Sequence, residues 1–289
     1  MCATRTVGQG RCIIRRVPIV AAAFLLFAVP SFAQPASGTT ASGLFYEVSG
    51  AGDPIVLIHA FSVDRRMWEP QIATFDRRFR IVRYDLRGHG RSAAPAGPYA
   101  GYADLKDVLD VLGIQRATLV GLSAGSEVAI NFALTNPDRV SRLVLASPGL
   151  GGYRLPPILW ADATFKAAAD GDAPAAARLW AQTPIMALRK NENARDIVRS
   201  LVADNWRLWT FRRTEQPLMP PAITRLAEIK APVLVITGGE DLSYITDIAA
   251  LIAKSAATGR HVVIPGAGHI VNLDAPAEFN ETMSAFLIQ

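Results

Sequence analysis

Cysteine is nearly missing from this chain, and the two that occur are both near its start. Cys2 and Cys12 precede residue 34 and no thiol follows. The rest of the sequence therefore has no disulfide framework, no thiolate metal site and no cysteine nucleophile. No set of His, Asp and Glu has metal-ligand spacing, so neither a metal nor a cofactor is expected. Net charge is also scarce once the N-terminus is set apart. The formal charge is +5, but Arg5, Arg11, Arg15 and Arg16 supply four of those charges and no acidic residue precedes residue 34. The remainder carries about +1, which is no footprint for nucleic acid. The apolar run at 19–29 is shorter than the ~20 residues that span a bilayer.

That run, its basic lead and the small residues of Ser31-Phe-Ala33 predict a secretory signal peptide over 1–33, cut after Ala33. The expectation is an exported protein, periplasmic or secreted, with no stable membrane anchor after cleavage. A retained leader is the alternative. The small, polar residues 34–43 read as a flexible lead-in.

Apolar β-type runs then recur at 44–48, 55–59, 79–84, 117–122, 143–146, 233–237 and 261–265. Helical periodicity fills most of the gaps, as at 102–112 and 124–134. This alternation predicts an α/β fold with a mostly parallel, doubly wound sheet. The unbroken apolar character of 55–58 and 233–236 fits strands covered on both faces. Between 148 and 228 the alternation stops. Pro-containing breaks at 156–157, 184 and 220–221 separate helical segments, and Trp160, Trp180, Trp206 and Trp209 all lie there. The expected organisation is a core of 44–147 and 229–289 with a helical lid, 148–228, inserted between two strands. Packing of lid on core is the simpler role for its tryptophans. Trp160, Trp206 and Trp209 are the candidates for substrate contact.

The stretch Gly121-Leu-Ser-Ala-Gly125 sits between a strand-like and a helix-like segment. A serine on such a sharp turn stands clear of the sheet, and the helix after it points free N–H groups at charge developing nearby. A serine hydroxyl still needs a base, and the base needs a group that fixes its tautomer. His269, in the glycine-rich loop after the last strand-like run, is the expected base. Asp241, after Gly238-Gly-Glu, is the expected orienter, with its neighbour Glu240 as rival. Loops at the carboxyl ends of parallel strands gather at one sheet edge, so Ser123, Asp241 and His269 can meet. His261 falls in a strand, and His59 and His89 read as shaping turns.

The chain resembles the α/β-hydrolase superfamily over essentially its whole length after the leader. The matching stretches are His59-Ala-Phe61, Tyr84-Asp-Leu-Arg-Gly-His-Gly-Arg-Ser92, Gly121-Leu-Ser-Ala-Gly125, Gly238-Gly-Glu-Asp241 and Gly266-Ala-Gly-His269. It is similar to the lidded branch of enol-lactonases, esterases, non-haem haloperoxidases, C–C bond hydrolases and epoxide hydrolases. The resemblance implies Ser123 as nucleophile, His269 as general base and Asp241 as its orienter, with the backbone N–H groups of Phe61 and Ala124 as oxyanion hole. Two departures stand out: Ala60 and Ser126 occupy positions where the family usually has glycine. Ala60 puts a methyl beside the oxyanion loop, and Ser126 is expected to cap or narrow the pocket. Serine at the elbow sets the chain apart from epoxide hydrolases and haloalkane dehalogenases, which use a carboxylate there, and from cysteine-dependent dienelactone hydrolases. The expected reaction is cleavage of a small carboxylic ester or lactone through an acyl-enzyme. The alternatives are a C–C bond hydrolase or perhydrolase, and a non-catalytic ligand-binding member of the fold.

Overall fold

Eight strands form one sheet in the order β1-β2-β4-β3-β5-β6-β7-β8. They are β1 (Ala36–Thr39), β2 (Phe45–Ser49), β3 (Asp53–Ile58), β4 (Phe79–Tyr84), β5 (Ala117–Leu122), β6 (Val140–Ala146), β7 (Val233–Gly238) and β8 (Gly259–Ile264). The β1–β2 and β2–β4 pairs are antiparallel, and every pairing among β3 to β8 is parallel. This is a computed structural model, and it describes residues 1–4, 8, 36–212 and 214–288. The chain divides into two units, Met1–Phe32 and Ala33–Gln289. In the first, the described residues 1–4 and 8 take no regular secondary structure, and most of the expected leader lies outside the described residues. Among the described residues no helix is long and apolar enough to cross a membrane.

The parallel core follows from side-chain alternation. Val56 and Ile58 of β3, Leu119 of β5, Leu143 of β6 and Val235 of β7 point to one face. There they meet Leu105 and Leu109 of α2 (Gly101–Val111), Val128 and Phe132 of α3 (Ala124–Thr135) and Ile248 and Ile252 of α7 (Ser243–Ser255). Ile55, Leu57, Val120, Val144 and Ile236 point the other way, onto Phe75 of α1 (Glu69–Phe75) and Phe279 and Met283 of α9 (Pro276–Leu287). Strands covered on both faces can be apolar at every position, and β5 and β7 are buried along their full length. One segment differs from expectation. The stretch read as a flexible lead-in carries β1, an edge strand of Ala, Ser, Gly and Thr. Its register with β2 rests on backbone pairing, which needs no apolar pattern.

Between β6 and β7 the chain forms α4 (Asp162–Ala169), α5 (Ala173–Trp180), α6 (Arg195–Asp204) and several single 3-10 turns. Helix α5 starts on an Asp172 carboxylate that accepts the Ala175 N–H. It buries Ala173, Ala176, Ala177 and Trp180, one helical stripe. Helix α6 buries Val198, Leu201 and Val202 in the same way. Ala177, Trp180, Val198, Leu201 and Val202 join the apolar cluster on the α1/α9 face.

Strand order reverses between β3 and β5, because β4 lies on one side of β3 and β5 on the other. In an open parallel sheet, the crevice beyond such a reversal, at the carboxyl ends, is where ligands bind. Both His59-Ala-Phe61 and the Ser123 turn leave the sheet there.

Candidate active site

Ser123 links β5 to α3 at φ 55°, ψ −112°, a left-handed conformation uncommon for a residue with a side chain. The flanking glycines make the bend possible. A Cβ on Gly121 would overlap the backbone of Gly125, and one on Gly125 would overlap the carbonyls of Ile58 and His59. The turn is tied down by backbone bonds: Ser123 N–H donates to Ala146 O at 3.0 Å, and Gly149 N–H donates to Ser123 O at 3.1 Å. Ser126 is fully buried, and its hydroxyl donates to Gly121 O at 2.7 Å. It therefore braces the underside of the turn rather than capping or narrowing a pocket.

Asp241 and His269 meet as neighbours across the loops that follow β7 and β8. His269 Nδ1 lies 3.0 Å from Asp241 Oδ1 and 3.2 Å from Oδ2. Both side chains are buried, at 2% and 0% exposure. With a carboxylate facing Nδ1, the proton sits there and Nε2 is left as the acceptor. Among the described residues Nε2 has no hydrogen-bond partner although it is buried. Asp241 also accepts the Leu242 N–H at 2.7 Å. Its neighbour Glu240 is exposed, and its backbone N–H goes to Ala267 O.

The other histidines are engaged elsewhere. His59 is fully buried; Nδ1 donates to Ala60 O at 2.7 Å and Nε2 accepts the Leu86 N–H at 2.8 Å. Burial pushes its pKa down, so the ring is neutral and spans two loops. His89 Nδ1 donates to Arg87 O at 3.1 Å, and its ring packs on those of His59 and Phe61. His261 Nε2 is 2.8 Å from Thr237 Oγ1 within the β7–β8 pair.

Phe61 lies three residues past the end of β3, the strand paired with β5, and Ala124 directly follows Ser123. Ala124 is the first residue of α3, so its N–H has no acceptor within the helix. Phe61 follows β3, and Ser62 after it turns at φ 69°. The methyl of Ala60 lies in the apolar cluster with Val63, Met67 and Trp68, and its N–H is 3.4 Å from Met67 Sδ.

The Phe61 ring is also one wall of an open cavity of about 380 Å³. Phe165, Ala168, Trp180, Leu208, Trp209 and Phe211 complete the lining. Trp180 and Trp209 stand edge-on to Phe61, at 5.5 and 5.6 Å between ring centres. Of the tryptophans singled out from sequence for substrate contact, Trp209 is in this wall. Trp160 backs it through Trp180 at 5.8 Å, and Trp206 is 40% exposed and outside it. Nothing in the sequence spacing of Trp180, Phe165 or Phe211 marks them as part of this wall. Among the described residues no group of three or more His, Cys, Asp or Glu could hold a metal ion.

Comparison with known proteins gives consistent results. The sequence pattern described as the alpha/beta hydrolase family matches residues 55–282. An (E)-2-((N-methylformamido)methylene)succinate hydrolase of Acinetobacter baylyi is 27% identical over 256 residues, 84% of this chain and 93% of that protein. The enol-lactonase of Burkholderia xenovorans superposes with a TM-score of 0.71 at 26% identity, covering 88% of this chain and all of that one. A thermophilic esterase of Thermogutta terrifontis gives 0.69 at 25% identity, covering 88% and 98%.

Proposed function

This chain belongs to the alpha/beta hydrolase family, and on that premise we propose that it is a serine hydrolase cleaving a small carboxylic ester or lactone. Ser123 Oγ attacks the carbonyl carbon while His269 Nε2 takes its proton. Asp241 holds the Nδ1–H and stabilises the imidazolium that forms. The N–H groups of Ala124 and Phe61 receive the negative oxygen of the tetrahedral intermediate. Collapse expels the alcohol, which takes the proton back from His269. Water, activated by the same Nε2, then releases the acid from the acyl-enzyme.

The observation that carries this reading is the buried Asp241–His269 pair at 3.0 Å. Its outer nitrogen is unpartnered among the described residues, at the sheet edge where Ser123 is held in a left-handed turn. The segment 148–228 acts as a lid, and the aromatic cavity beside Phe61 receives an apolar group of the substrate.

Hydrolysis of short p-nitrophenyl esters and simple lactones tests the assignment. Ser123→Ala is expected to lower kcat by about three orders of magnitude or more with the fold intact. Ester turnover retained in that variant would remove Ser123 from the mechanism. Cleavage of a C–C bond or perhydrolysis in preference to every ester and lactone would replace the substrate class while keeping the serine. Export follows from the leader read in the sequence. N-terminal sequencing of the exported protein is expected to begin at Gln34, and a start at Met1 would contradict processing.

A further inference from the structure

Resting on that assignment of His269 as the base, we infer that Asp274 is a positioning residue for it. One buried carboxylate fastens the His269 loop to the turn that follows Leu188.

Asp274 ends α8 (Val271–Asp274), the single helical turn just after His269, and is 1% exposed. Its carboxylate accepts four backbone N–H groups. Gly268 donates at 2.6 Å, Lys190 at 2.7 Å, Asn191 at 2.9 Å and Arg189 at 2.9 Å. Three of these donors are consecutive residues of the segment between β6 and β7. The fourth immediately precedes His269. Burial alone would raise the Asp274 carboxyl, but the four N–H groups outweigh it and hold it below the usual carboxylate range. An ionised carboxylate here is thus solvated by the backbone of two separate segments.

The opposite side of the same loop is fixed by the acid's own turn. Gly238, at the end of β7, packs so closely that a Cβ would overlap the carbonyls of Ala267 and Gly268. The Glu240 N–H donates to Ala267 O at 2.9 Å. A Cβ on Gly268 would lie 2.6 Å from Ala187 O, so the loop is in close contact with the β6–β7 segment as well. Glycine gives the chain before His269 freedom to move, and Gly266 adds a left-handed position at φ 72°. What removes that freedom is a clamp from both sides, and Asp274 is the charged half of it. Misplacing a catalytic group by about 1 Å costs on the order of a hundredfold in rate, so a loosened loop should register in turnover.

The variants Asp274→Asn, Asp274→Glu and Ser123→Ala, assayed beside wild type with p-nitrophenyl butyrate, test the inference. The amide of Asp274→Asn presents an NH2 group to donors that need an acceptor. Its kcat is expected to fall about tenfold to a hundredfold with KM within about threefold, in protein whose circular dichroism shows it folded. The rate of fluorophosphonate modification of Ser123 should fall in parallel. Asp274→Glu keeps the charge but moves it by about one methylene, so its kcat is expected to drop about threefold or more at unchanged KM. This second variant decides the matter if the asparagine protein does not fold. A lower melting temperature with wild-type kcat and labelling rate in a folded variant would make Asp274 a structural staple only and overturn the inference. Activity that survives Ser123→Ala would instead overturn the serine mechanism, a separate outcome from failure of the Asp274 clamp.

Discussion

Ser123 is held where an L residue rests at a cost of roughly 1–3 kcal/mol, and its surroundings over-determine it. The bond to Ala146 O, the bond from Gly149 N–H and the Ser126 hydroxyl beneath Gly121 all oppose relaxation of the turn. The strain is thus borne by buried backbone contacts. Asp64 shows the same reliance on buried polar groups. Its carboxylate is fully buried beside Arg66 and Asn205, which donate to it at 2.7 and 2.9 Å. Burial would raise its pKa, yet the Arg66 guanidinium, the Arg66 N–H and the Asn205 amide outweigh that and bring it to about 2 from 3.8. A carboxyl depressed on folding stabilises the native state above its unfolded value, and that contribution disappears as pH falls through the folded value. Asp64→Asn is therefore expected to lose on the order of 2 kcal/mol at pH 7. The gap from wild type should close between about pH 4 and pH 2. Urea unfolding at several pH values measures it, and a gap independent of pH would contradict the pairing.

At the scale of elements, the aromatic cavity is where sequence and structure part company. The strand–turn–helix around Ser123 was legible because buried parallel strands are apolar at every position and the glycines mark the bend. The loops of Asp241 and His269 were legible because each follows such a strand. Trp206 and Trp180 were not distinguishable by spacing. Which face a short helix or 3-10 turn presents depends on how it packs, and of these two rings it is Trp180 that turns toward Phe61. Asp274 was invisible for another reason: three of its four partners are backbone N–H groups 83 to 85 residues away, which leave no mark on side-chain pattern. Strand β1 escaped likewise, because its pairing is carried by backbone alone. The cavity reading makes a test. Trp209→Leu should widen the pocket and raise kcat/KM for hexanoyl relative to acetyl esters, by about fivefold for a gain of roughly 1 kcal/mol. Trp206→Leu, on an exposed ring, should leave the ratio unchanged. Equal ratios in both variants would take the cavity out of substrate recognition.

Across the whole molecule, the parallel register delivers distant parts of the chain to one edge. Ile58 lies opposite Gly121, Ala146 opposite Ile236 and Gly238 opposite Ile264. The segments that follow these strand ends carry Phe61, Ser123, Asp241 and His269. The proposed nucleophile, base and orienter, spread over about half the sequence, thereby follow strand ends at one sheet edge. The central claim is that Ser123 is activated by His269, and covalent labelling tests it most directly. Wild-type protein is treated with a fluorophosphonate and the adduct located by peptide mass spectrometry. The account predicts a single adduct on Ser123, formed as His269 takes the hydroxyl proton. It predicts a loss of orders of magnitude in rate in His269→Ala. An unlabelled Ser123 in a protein that still hydrolyses esters, or labelling indifferent to His269, would contradict it.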